Sequence, residues 1–147
     1  MDAQRPDAAD SARQPCEIAR TCAGVCREVR RAMKRTPHPL EHHPSFRAVI
    51  AAAPSVAELA LELHADDLVG MLALACGDLA HGFAAPPGSR ARADAHHRAW
   101  QAVRSVDRAV TAARVNRQAS AKVVAKAQRA IDRADVMIGA LPGVRAI

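Results

Sequence analysis

Apolar residues recur at spacings of three and four along most of the chain, as in helices that bury one face. Ile18, Cys22, Val25, Val29 and Ala32 form the first such stripe. It predicts a helix from Cys16 to about Thr36, ended by the prolines of "TPHPLEHHP". "SFRAVIAAA" adds a short helix before Pro54, and Ser55 with Glu58 reads as a capping box opening the next apolar run. Leu61, Ala65, Leu68, Leu72, Ala75 and Leu79 then keep one phase. The pattern predicts one long helix over residues 56–83, with a break at Asp66 as the alternative. Beyond a corner at Pro86-Pro87-Gly88, Ala99, Val103, Val106, Val110 and Ala113 mark a third long helix. Asn116 and Ser120 supply an end signal and a cap. Val124, Ala127, Ile131, Ala134, Ile138 and Leu141 mark the last helix, stopped by Pro142-Gly143.

Four amphipathic helices with heptad-like stripes and no alternating strand pattern predict an all-α, antiparallel four-helix bundle. Residues 1–13 read as a disordered tail and 14–147 as one helical domain, with a Pro/His-rich insert at 37–55. Leu68, Leu72, Leu79, Val103, Val106, Val110, Val124, Ile131 and Ile138 are the expected core. Composition agrees. One Trp, two Phe and no Tyr leave small aliphatic side chains to build the core, which suits closely packed helices.

Charge changes the picture. The net charge is +6, but it is not spread evenly. Residues 1–83 hold 9 Lys/Arg against 11 Asp/Glu, whereas residues 84–147 hold 12 Lys/Arg against 4 Asp. A concentrated basic half points to a polyanion or an acidic partner. Lys122, Lys126, Arg129 and Arg133 fall on one face of the last helix, opposite its apolar stripe, and Arg104 and Arg108 form a shorter pair on the third. Such a row follows a phosphate backbone without reading bases. The bland alternative is a solvated helix face. With a single Trp, base stacking is not the obvious mode. No run of 18 consecutive apolar residues occurs, so no membrane span is expected. The polar N-terminus lacks a signal core, which predicts a cytoplasmic protein with reduced thiols at Cys16, Cys22, Cys26 and Cys76.

Two constellations resemble sites of chemistry. Cys22, Cys26, His38 and His42 approach a zinc-finger spacing. Cys22, however, lies on an apolar stripe, and the hydrophobic residues that pack a small finger are missing, so core cysteine is the favoured reading. "RARADAHH" sets Arg90 and Arg92 four to six residues before His96 or His97. Similar spacing occurs in helical-bundle ribonucleases of the HEPN class, where the Arg steadies a phosphate. Here Ala follows each Arg, and in so Arg-rich a chain the spacing arises easily by chance. No Gly-rich phosphate loop or nucleophile elbow is present, and no cofactor is implied.

The order of features from Ala80 onward resembles a known family. A helix ending Ala80-His81-Gly82-Phe83 leads through a corner to "AVRSVDRAV" and then to a helix ending "DRADVMIGAL". This is similar to the four-helix bundle proteins of 23S rRNA intervening sequences, which include the accessory variability determinants (Avd) of diversity-generating retroelements. The family signature reads approximately N-I-A-E-G-F. Ala80, Gly82 and Phe83 match it, while Asp78 stands for Asn and His81 for Glu. On the third helix Ala102 and Ser105 fit, but the acidic position is Arg108, with Asp107 one residue early. The similarity spans roughly residues 64–141. It implies that the Gly82-Phe83 segment is a helix corner, with Gly82 allowing a close helix end or a positive φ. It also implies a non-catalytic, basic homopentamer that binds nucleic acid and a reverse transcriptase. A protein–protein scaffold without nucleic-acid binding is the second expectation, and an Arg/His-type ribonuclease the third.

Overall fold

The computed structural model describes residues 42–145 and, before them, the helical positions Arg20, Ala23, Gly24, Arg27 and Arg31. Four helices follow one another: α1 (Pro44–Leu63), α2 (Asp67–Ala84), α3 (Arg90–Val115) and α4 (Ala121–Gly139). The connections 64–66, 85–89 and 116–120 are short, so consecutive helices run antiparallel. Each helix packs on the next, and α4 packs back on α1 to close an all-α four-helix bundle. All nine expected core residues are buried.

The helices are not divided as the stripes suggest. Residues 44–55, expected to lie in an insert, open a core helix instead. His43 caps it, its Nδ1 accepting the Ser45 N–H at 3.3 Å, and Pro44 sits in the first turn, where no N–H is needed. The helix then continues through Pro54 instead of ending there. Pro54 lies on the exposed side, and Val49, Ala52, Ala53, Val56, Ala57 and Ala60 stay buried to either side of it. Burial of that continuous face outweighs the lost hydrogen bond. Ser55, the expected cap, is inside the helix.

The single helix expected over 56–83 is broken near the weighed alternative. α1 ends at Leu63, and His64 turns left-handed (φ 52°, ψ 42°). The Ala65 N–H then reaches back to the Ala60 carbonyl at 2.9 Å, a Schellman-type closure. Arg117 closes α3 in the same way (φ 52°), with the Gln118 N–H on the Ala113 carbonyl at 3.0 Å. At the next corner the Glu62 carboxylate accepts the Ser120 N–H at 2.9 Å, tying the end of α1 to the start of α4. Ser120 caps α4 and Ser89 caps α3.

The sequence-derived helix at 16–36 lies largely outside the described residues, as do Cys16, Cys22, Cys26, His38 and the 1–13 tail. Its described positions are helical, and Arg20, Arg27 and Arg31 are exposed. Cys76 is buried in the α2 core. α2 is also long and apolar enough, by length and composition, to cross a membrane. Its apolar residues Leu68, Val69, Leu72, Leu79 and Phe83 are spent on the bundle core.

A left-handed conformation costs a non-glycine residue on the order of 1 kcal/mol. His64→Gly and Arg117→Gly are each expected to stabilise the bundle by about 0.5–1 kcal/mol, since neither side chain makes a hydrogen bond or ion pair among the described residues. Urea unfolding of each variant checks this, and a loss of stability would show that the left-handed closures carry no strain.

Candidate functional site

Two surfaces stand out, one along the bundle and one at its end. The first is the outer face of α4. This helix buries Val124, Ala127, Ile131, Ala134 and Ile138 as one stripe. Lys122, Lys126, Arg129 and Arg133 fall on the other side, and all four are exposed. None forms an ion pair or hydrogen bond with another described residue. Asp132 lies between them and is engaged by Gln128, whose Nε2 donates to it and to Asp107, both at 2.8 Å.

Arg104 and Arg108 are exposed on α3, but both are engaged. Arg104 lies 4.0 Å from the Asp135 carboxylate and stacks over Trp100, with 5.4 Å to the ring centroid. Arg108 donates to the Ser105 hydroxyl at 3.0 Å. Trp100 itself donates to Asp135 at 2.7 Å and carries Arg145 on its ring as well. It therefore serves as a bolt between α3 and α4. Periodicity along α4 alone misses two further cations. Arg114 and Arg117, at the end of α3, join Arg129 around a groove of about 590 Å³ floored by Ala119, Ala121, Val124 and Ala125. Their spacing in "RVNRQ" was visible, but only the folded turn sets them beside α4.

The second surface is a cleft of about 460 Å³ at the opposite end of α4. Two Pro-Gly turns frame it. In one, the Ser89 N–H bonds the Pro86 carbonyl at 3.1 Å with Gly88 at φ 78°; in the other, the Val144 N–H bonds the Leu141 carbonyl at 3.3 Å with Gly143 at φ 81°. Positive φ at the third residue of such a turn favours glycine. Phe83, from the end of α2, and His43, from the start of α1, complete the wall with Arg92 and His96 of α3. The ring centroids of Phe83 lie 4.2 Å from His43 and 4.5 Å from His96.

The corner motif is thus buried, and the reason for Gly82 differs from one expectation. Gly82 lies inside α2 and is not among the residues with positive φ. What requires glycine is close approach, because a Cβ there would run into Cδ2 and Nε2 of His96. Ala80 and Phe83 are buried beside it. His96 is only 2% exposed, and its Nε2 has no hydrogen-bond partner. Burial first, then the neighbouring Arg92 and His43 charges, lower its pKa to about 4, against a weaker opposing pull from the Leu79 carbonyl. The imidazole is neutral at physiological pH.

The four Arg and His positions of "RARADAHH" do not converge. Arg92 and His96 share the cleft. Arg90 points outward to Asp94 at 3.8 Å with its side chain 94% exposed, and His97 Nδ1 donates to the Val144 carbonyl at 2.7 Å. Among the described residues, no cluster of three His, Cys, Asp or Glu is placed to hold a metal ion.

Two variants probe the corner. Gly82→Ala is expected to cost about 1–3 kcal/mol through overpacking. Adding His96→Ala should recover much of that loss, because the two residues meet; strictly additive losses in urea unfolding would show that they do not. Titration of His96 gives a second test. Its folded pKa lies below the ordinary 6.5, so the unfolded chain binds the extra proton between about pH 6.5 and 4. Stability should therefore fall as pH drops through that window, by up to about 1.4 kcal/mol per pH unit. His96→Gln should flatten the slope by up to one proton, and an unchanged pH profile would contradict the assignment.

Comparison with protein-family models, with curated proteins and with solved structures gives no match, so function has to be read from these two surfaces.

Proposed function

We propose that this chain is a non-catalytic, basic helical-bundle accessory protein that binds nucleic acid through the outer face of α4. The observation that carries this reading is the exposed row Lys122, Lys126, Arg129 and Arg133, which forms no ion pair among the described residues. Four cations one helical turn apart match a phosphate backbone in charge and repeat, and nothing in the row selects a base. Arg114, in the last turn of α3, and Arg117, just beyond it, extend the row from Arg129. Arg104 and Arg108 are secondary contributors, since each is already engaged.

On the resemblance to the intervening-sequence and Avd proteins, the reading extends to a homo-oligomer, with a pentamer as its expected form, acting beside a reverse transcriptase. Leu74 on α2 and Val136 on α4 stand exposed and offer apolar contacts for such assembly. Several copies of one weak basic face would add avidity.

A protein-scaffold reading has one observation in its favour. The groove floored by Ala119, Ala121, Val124 and Ala125 and rimmed by Arg114, Arg117 and Arg129 suits an amphipathic, acidic segment of another protein. The α4 row favours nucleic acid, because most of its length lies outside that groove.

The test replaces Lys122, Lys126, Arg129 and Arg133 together by Gln. Binding of single-stranded RNA or DNA at low salt should be largely lost while helicity and melting are retained. In the parent, log affinity should fall linearly with log salt, and each removed phosphate contact should lower the slope by about 0.7–0.9. A quadruple variant that binds like the parent would reduce this face to a solvated surface. Sedimentation equilibrium tests assembly separately: a mass near the monomer's 15.6 kDa at micromolar concentration would rule out the oligomer.

A further inference from the structure

The row of cations on α4 adjoins a groove. Where the helix starts, it and the end of α3 enclose about 590 Å³ above a floor of Ala119, Ala121, Val124 and Ala125. That size lies within the range of small-ligand sites. Phosphate contact needs only exposed cations, so an open aliphatic floor adds nothing to it. The floor contributes once something apolar covers it and displaces its water.

Three arginines stand on the rims, Arg114 and Arg117 on the α3 side and Arg129 on the α4 side, all exposed. None of their side chains makes an ion pair or hydrogen bond with another described residue. Gln128 also lines the groove, and its Nε2 bridges the Asp107 and Asp132 carboxylates at 2.8 Å. These acids are therefore tied to an amide and pair with none of the three arginines. Arg117 adds an independent sign. It holds φ 52°, a left-handed position that glycine occupies without strain. Its side chain makes no bond to the described fold, so folding gives no reason for an arginine there. A strained residue that holds a long cation over an open groove points to a ligand.

Arg129 belongs to the groove and to the row. A ligand that fills the groove thus meets the row as well. Repeated negative charge along Lys122, Lys126 and Arg133 suits a polynucleotide better than a short acidic peptide. The part of a polynucleotide that covers an aliphatic floor is the face of a base, and guanidinium planes stack on such faces. In a duplex those faces lie inside the stack and do not reach the floor.

We infer that the α4 face takes single-stranded nucleic acid, with an unstacked base seated on the aliphatic floor between Arg114, Arg117 and Arg129 while phosphates follow the row. This rests on the α4 reading and adds the class of strand to it. Cations alone respond to charge density, whereas a filled groove requires a strand whose bases are free. Trp100 takes no part, since it is committed to Asp135.

The experiment measures fluorescence polarisation at low salt with three labelled probes: a short single strand of mixed sequence, an abasic strand with the same number of phosphates, and a blunt duplex of the first sequence. The natural strand should bind about tenfold more tightly than the abasic one, as expected for one seated base. Ala125→Gln fills the floor and leaves every cation in place, at an exposed position on α4 where Gln is a good helix former. It should bring the natural strand to the abasic level and leave the abasic strand and the duplex as in the parent. Arg117→Gly relieves the left-handed strain, so it folds at least as well, and should also narrow the gap between the two strands. Thermal melting checks both variants. Should either unfold, the comparison of the two strands in the parent decides alone. Equal binding of natural and abasic strands by the parent, or an unchanged gap in folded Ala125→Gln, overturns the proposal and leaves the groove to an acidic segment of another protein. Equal, salt-dependent binding of both strands leaves the α4 row standing without the groove; no binding of any probe removes both.

Discussion

Close approach between small side chains is the constraint on which the bundle depends. Ala52, Ala60, Ala75, Ala99, Ala113, Ala127 and Ala134 are fully buried, and the larger core residues are mainly Val, Leu and Ile. With so few aromatics, stability has to come from short interaxial distances and many weak contacts. The meeting of Gly82 and His96 is the limit of this design, where one helix gives up its Cβ so that the next can seat a ring. That contact fixes the end of α2 against the start of α3, and through Phe83 it sets the wall on which Arg92 rests.

The same economy explains where charge gathers. α3 has 26 residues but buries seven side chains, and α4 buries a single stripe. α1 and α2 bury broader faces. The outer sides of α3 and α4 are therefore available for polar residues, and there the chain places its excess of Lys and Arg. Trp100, Asp135 and Arg104 lock the two helices together, and Arg104 is consumed in doing so. The α4 row has no such partner among the described residues.

Much of this was legible in the sequence, and the misses have local causes. The stripes of α3 and α4 are legible residue by residue, because long helices with one buried face carry an unambiguous period and serine caps. The first half of the bundle divides differently from its stripes. Pro54 looked like a boundary, but tertiary burial carries α1 across it on the exposed side. The turn at 64–66 keeps the apolar phase, and its left-handed residue is His64 where a glycine would have signalled a stop. The α4 cations were visible from spacing. The cleft was not, because His43, Phe83, Arg92 and Pro142-Gly143 are far apart in sequence and meet only when the four helices close. "RARADAHH" hinted at it, yet only Arg92 and His96 of that stretch face inward.

The central claim is that phosphate backbones meet this protein along α4. The most direct measurement is backbone-amide NMR of the labelled protein as a short single-stranded oligonucleotide is added at low salt. Shifts concentrated on the exposed side of residues 121–136 and at Arg114–Arg117, with the outer face of α2 around Gly70, Leu74 and Gly77 unmoved, are the predicted result. Shifts confined to α1 and α2, or none at any oligonucleotide concentration, would contradict it.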